Sequence, residues 1–229
     1  MTPLRRPGTP AIGLLALTLT ACSSGSDDGD DGPDLTPTSA DASTAAPATA
    51  DGIPEEWLEA TAEGWPGSKG YGGSTPVLTR DPCLLLDSAP EVLGSSPETT
   101  DTGWGGYSGG EDSYRYVCGF WSPDQYSGQV QLIQTDAASA QATIDDFDSQ
   151  SDTDVQDNTV ETVESGGLEV HVLTRWYPTN PQGEYQAVYL DEAHDAIFTF
   201  EVNSLDEEDF DALTPQDVAD LLVSILAEG

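Results

Sequence analysis

Gly106-Tyr107-Ser108-Gly109-Gly110 has the G-x-S-x-G spacing of a serine nucleophile. That motif works when a strand runs into a sharp turn and a helix follows, lifting the hydroxyl toward a histidine base. Both histidines, His171 and His194, follow Ser108 in the chain, an order that hydrolases permit. The flanks argue otherwise. Residues 100–105 lack a strand pattern, and residues 111–116 lead into a strand where a helix is needed. His171 falls mid-strand in Val170-His171-Val172, and His194 falls in a turn. A glycine-rich loop over 98–111 is the expectation, with a serine hydrolase as the alternative. Asp152-Thr153-Asp154 begins like a calcium loop, but position six is Asp157 where Gly is required and position twelve is Val163 where Glu is required. A solvated helix-to-strand connection is expected there.

Aromatic residues offer a different chemistry. Trp65, Tyr71, Trp104 and Tyr107 sit among glycines, and Trp176 and Tyr177 precede the loop 178–183. Aromatics on loops present flat faces to ligands or partners. Together these six would line one mouth of the domain and take an envelope protein or an apolar or glycan ligand. The competing expectation is that they fold back onto the core.

The N-terminus supplies an address. Arg5 and Arg6 precede an apolar run, residues 11–21, the layout of a secretory leader. As a helix that run reaches about 17 Å, too short for a hydrocarbon core of roughly 30 Å. It ends Leu19-Thr20-Ala21-Cys22, which resembles the bacterial lipobox. The resemblance implies cleavage after residue 21, acyl groups on Cys22 and a position on the outer face of the cell membrane, with the bilayer as first partner. Of the three cysteines, Cys83 and Cys118 would then remain as a pair. Outside the cell a disulfide persists; two buried free thiols are the alternative. With two histidines and no cysteine cluster, a zinc site is not expected. No phosphate-binding or dinucleotide fingerprint occurs, so no cofactor is expected.

Residues 23–51 are Ser, Thr, Ala, Asp, Gly and Pro with Leu35 as the one large aliphatic. Such a segment cannot bury enough apolar surface to offset ordering, so 22–52 reads as a tether. All Trp, Tyr and Phe lie beyond Gly52, and 53–229 reads as a single domain. Without the leader, four basic residues face 42 acidic ones, a net charge of −38. That balance excludes a nucleic-acid partner, which requires a basic footprint. It suits solubility in a saline medium or attraction of cations or a basic partner.

The elements that would position these groups follow from periodicity. Apolar–polar alternation predicts strands over 114–121, 129–134, 160–163, 168–176, 185–190 and 197–202. Pro54 and two acids open a short helix. Asp81-Pro82-Cys83 reads as the cap and first turn of another. Ala137, Ala140, Ile144 and Phe147 mark a third, and Thr214-Pro215-Gln216-Asp217 caps a fourth with Val218, Leu221, Leu222 and Ile225 on one face. Short turns between strands give an antiparallel sheet of about six strands with helices packed on it, an α+β fold.

Asp81-Pro82-Cys83-Leu84-Leu85 and Cys118-Gly119-Phe120-Trp121, with the lipobox and the tether, resemble a group of small actinobacterial secreted lipoproteins of unknown function. The resemblance covers roughly residues 81–228 and implies an envelope lipoprotein with one disulfide. It supplies no catalytic residues. The family's usual Cys-Trp is here separated by Gly119 and Phe120. The element order is similar to sandwich folds of the Mog1 and photosystem-accessory kind, which implies a binding module. A Cys83–Cys118 bridge would pin the first helix to the first long strand. Strand alternation puts Phe120 on the cysteine's face and Trp121 on the other.

Overall fold

Alternation of apolar and polar side chains builds an antiparallel sheet, and the computed structural model describes it through residues 48–67, 75–123 and 125–229. These belong to the unit Ala45–Gly229. The strands are β1 (Val77–Thr79), β2 (Glu98–Gly106), β3 (Tyr114–Trp121), β4 (Ser127–Gln134), β5 (Asp157–Ser165), β6 (Leu168–Tyr177), β7 (Gln182–Asp191) and β8 (Ala196–Leu205). The helices are α1 (Glu55–Gly64), α2 (Ala137–Asp148), α3 (Glu207–Ala212) and α4 (Pro215–Glu228). Sheet order is β1-β2-β3-β4-β8-β7-β6-β5. Two meanders therefore meet through the β4–β8 pair, and α2 carries the chain from mid-sheet to the far edge. The α+β class agrees with the sequence; eight strands replace the expected six.

The first face carries the main core. Tyr116, Cys118 and Phe120 on β3 pair with Leu132, Val130 and Gly128 on β4, which pair in turn with Phe198, Phe200 and Val202 on β8. All are buried. Trp57 of α1 stacks on Phe198 with ring centroids 5.7 Å apart, and Val218, Leu222 and Val223 of α4 join the same cluster. α4 starts where its sequence dictates: the Thr214 side chain accepts from Asp217 N–H, and the Asp217 carboxylate accepts from Thr214 N–H. At α2 the Asp136 carboxylate accepts from Ser139 N–H at 2.9 Å, which holds its pKa below the usual value. Gly128 is required where Phe120 crosses β4. A Cβ there would lie 2.3 Å from the Phe120 ring and 2.4 Å from the Glu201 backbone oxygen. The backbone contact has no flexible end to yield, so Gly128→Ala is expected to cost about 1–3 kcal/mol by overpacking, measured by urea denaturation.

Three expectations change. Residues 98–106 form a strand where a glycine-rich loop was expected. Its polar residues pair with β3 through the backbone, and at Gly103 a Cβ would sit 2.0 Å from the Val77 carbonyl oxygen of β1. Residues 81–93 are irregular where a helix was expected. With Pro82 and Pro90 breaking the run, Leu84 N–H donates to Tyr116 Oη (3.2 Å) and Tyr126 Oη–H to the Val92 carbonyl (2.9 Å). The short helix α3 was not anticipated.

Cys83 and Cys118 form a disulfide with Cα atoms 5.7 Å apart. It ties the irregular segment, instead of a helix, to β3. Phe120 is buried beside Phe200, ring centroids 6.0 Å apart, while Trp121 points to the second face.

Candidate binding face

Among the described residues α2 is the one helix on the second face, and it covers one end. Ala140, Ile144 and Phe147 pack on Ile133, Leu173, Val188 and Ile197. The rest of this face is polar, and the strand register sets its side chains in rows. Trp121 pairs with Ser127 and Ser127 with Asn203. In the next row Gly119 pairs with Gln129, Gln129 with Glu201 and Glu201 with Gln186. The row nearer α2 contains Val117, Gln131 and Thr199.

These groups restrain one another. Glu201 accepts from Gln129 Nε2 on one carboxylate oxygen and from Asn203 Nδ2 on the other, both at 2.8 Å. Asn203 Oδ1 in turn accepts from the hydroxyls of Ser127 and Ser204. Beside them Arg175 is committed to Glu184, to Asn158 Oδ1 (3.1 Å) and to Gln150 Oε1 (2.5 Å). Tyr177 Oη–H donates to Glu184 Oε2 at 3.2 Å. Burial raises the Glu184 pKa, and Arg175 opposes the rise. Thr199 is 4% exposed and its hydroxyl has no hydrogen-bond partner among the described residues. Trp121 closes the row with half its surface, 50%, exposed. Toward β1, a cavity of about 280 Å³ is lined by Leu78, Arg115, Val117, Gln129 and Gln131. The chemistry on offer is directional hydrogen bonding beside one flat aromatic ring.

Residues 48–53 lie at the opposite end of the sheet. A Cβ on Gly166, in the β5–β6 turn, would lie 2.4 Å from the Ala48 carbonyl oxygen. Ile53 N–H donates to Asp191 Oδ2 at 3.1 Å, at the end of β7. Asp191 pairs with Ala196, and Asn203 lies seven residues further along β8, about 24 Å at roughly 3.4 Å per residue.

The residues singled out from the sequence occupy separate places. Trp65 stacks on Tyr114, centroids 5.5 Å apart. Trp104 packs on Tyr116 at 4.5 Å and donates its indole N–H to the Thr61 carbonyl (3.1 Å). Tyr107 Oη lies 3.0 Å from Thr143 Oγ1 on α2. Trp176 sits against Phe210 of α3, 5.1 Å between centroids, and Tyr177 is on the second face beside Glu184. β2 and β6 are five strand positions apart, about 24 Å at roughly 4.8 Å per step. The single aromatic mouth is thus replaced by scattered packing contacts. Tyr71 and Cys22 lie outside the described residues.

Nor does the serine meet a base. Ser108 follows a strand, β2, but β3 comes next with no helix between. His171 Nδ1 lies 2.8 Å from Asp148 Oδ1 and His194 Nδ1 lies 3.0 Å from Asp191 Oδ2. β6, which carries His171, is four positions from β3, roughly 19 Å. His194 is nearer, since Thr135 bonds the backbone of both Ser108 and Asp195, but among the described residues no hydrogen bond joins the Ser108 hydroxyl to either imidazole, and the helix that the motif needs after the serine is not there. In the acidic loop, Asp152 Oδ1 accepts from Asn158 N–H at 2.8 Å, which anchors the start of β5.

Sequence alone does not bring the residues of this candidate face together. The signal was there as alternate polar residues, Gln129 and Gln131 on one strand and Glu201 and Asn203 on another. Only the β4–β8 pairing makes them neighbours. No protein family, curated protein or solved structure matches the chain.

Proposed function

We propose that the mature chain is held on the outer face of the cell membrane by acyl groups on Cys22 and acts there as a non-enzymatic binding module of the envelope. One observation carries the binding part of this reading. Among the described residues no helix covers the part of the second sheet face that carries Trp121, Gln129, Glu201 and Asn203, yet its polar side chains are held in fixed mutual hydrogen bonds. A merely solvated face gains little by ordering long side chains, since each loses rotamer freedom; an ordered one is prepared for a partner. The leader, the lipobox-like Leu19-Thr20-Ala21-Cys22 and the disulfide support an extracytoplasmic location.

Two measurements test the reading. In the native host the protein is expected in the membrane fraction and open to protease on intact cells, and Cys22→Ser is expected to move it into the medium or leave it unprocessed. Purified protein is expected to be retained saturably by isolated envelope material. A Cys22→Ser variant that stays acylated and membrane-bound removes the anchor from the account, and no retention removes the binding role.

A further inference from the structure

Resting on that reading, we propose that the ligand is an uncharged or N-acetylated polysaccharide of the envelope, seated on the second face across Trp121, Ser127, Asn203, Gln129 and Glu201. Sugar rings carry hydroxyls that both donate and accept, and they carry apolar C–H surfaces. A site for them needs oriented planar amides and carboxylates beside a flat aromatic ring. Glu201 takes one N–H from each of two amides, which leaves each amide a second N–H and the carboxylate further lone pairs. Their orientation is set before a ligand arrives, so less ordering remains for binding to impose. From Trp121 on β3 to Asn203 on β8 is two strand positions, about 10 Å. The Thr199 hydroxyl, unpaired beneath the same face, is a further group that a rearranged Gln131 or a ligand-borne water would satisfy.

Charge chooses among polymers. A chain of net −38 repels uronates and phosphodiester polymers. A basic peptide would find one charge and not a cluster here, because Glu184 is paired with Arg175 and Glu201 is the single carboxylate among the five residues of the proposed site.

The test uses the full lipidated chain in nanodiscs. The probes are oligosaccharides of four to six units: a neutral glucan, a β-linked N-acetylglucosamine oligomer and a uronate. Binding is followed by calorimetry and indole fluorescence. Saturable binding to an uncharged or N-acetylated probe and none to the uronate is expected. Trp121→Ala, at a half-exposed position, is expected to leave the melting temperature in place and weaken binding about tenfold, the factor set by loss of one aromatic contact. The Gln129→Ala/Asn203→Ala double variant should weaken it at least as much. Failure of every uncharged probe, preference for the uronate, or binding indifferent to both variants overturns the proposal. Envelope retention abolished by protease but untouched by periodate also overturns it, while leaving the binding-module reading standing.

Discussion

Between pH 10 and pH 12 the protein is expected to lose about 2–3 kcal/mol of stability, because folding holds its tyrosine protons. Tyr185 is 4% exposed, and its hydroxyl donates to the carbonyls of Leu213 (2.8 Å) and Phe210 (3.3 Å). Burial first, then the nearby carboxylates of Asp211, Asp217 and Glu161, push its pKa up to about 12. A folded-state value above the unfolded one of about 10 means stability is fully present below pH 10 and is lost as pH rises through 12; two units correspond to about 2.7 kcal/mol from this residue alone. Burial is also the largest cause of the upward shifts of Tyr114, Tyr116, Tyr126 and Tyr189. Urea midpoints at pH 8, 10 and 11, at constant ionic strength, measure the effect. Tyr185→Phe should cost about 1 kcal/mol at pH 8 through its lost hydrogen bonds and flatten the alkaline slope. Equal midpoints at pH 8 and 11 would refute the argument.

Removing the disulfide is expected to lower stability by about 4 kcal/mol, the chain-entropy value for a closed loop of this length. The bridge spans a sequence separation of 35. For a domain of this size that corresponds to a melting temperature lower by about 8–15 °C. The loss should be local first. Residues 81–96 have no helix of their own and are held by the bridge, by Leu85 and Val92 in the core, and by the hydroxyls of Tyr116 and Tyr126. Calorimetry of Cys83→Ala/Cys118→Ala against wild type, with hydrogen exchange over 81–96, reads both effects. A shift below 2 °C would mean that the tyrosine and core contacts alone secure the segment. The two results are coupled: in the reduced protein the alkaline transition should begin at lower pH, since Tyr116 and Tyr126 then guard a looser segment.

Six strands and three of the four helices were legible because each buries one face, which prints a period of two or of about 3.6 on the sequence. Ser165-Gly166-Gly167 was readable as a turn for a similar reason, with φ of 53° and 94° at the two glycines. β2 was not, because Glu98-Thr-Thr-Asp-Thr-Gly-Trp-Gly-Gly has loop composition. Gly103 serves the close approach of β1, a tertiary fact. Asp81-Pro82-Cys83 carried a sound helix start, but the bridge and two tyrosine hydroxyls offered its backbone other partners. At the site, loop aromatics drew attention because they are large, yet size also makes them core material. Trp65, Trp104 and Trp176 all pack on aromatic neighbours. The ordered polar rows were invisible for a topological reason: β4 and β8 lie over 60 residues apart in sequence and side by side in space.

That same pairing dictates when the molecule can finish folding. The first meander can form hairpins as soon as its four strands exist, but its inner edge at β4 stays open until β8, near the C-terminus, arrives to zip against it. Closing so large a loop makes this step slow relative to the local hairpins. A nascent chain stalled before Ala196 would carry a bare β4 edge with Val130 and Leu132 uncovered, a template for mispairing. Its maturation therefore waits on the last strand made, whichever side of a membrane that strand emerges on.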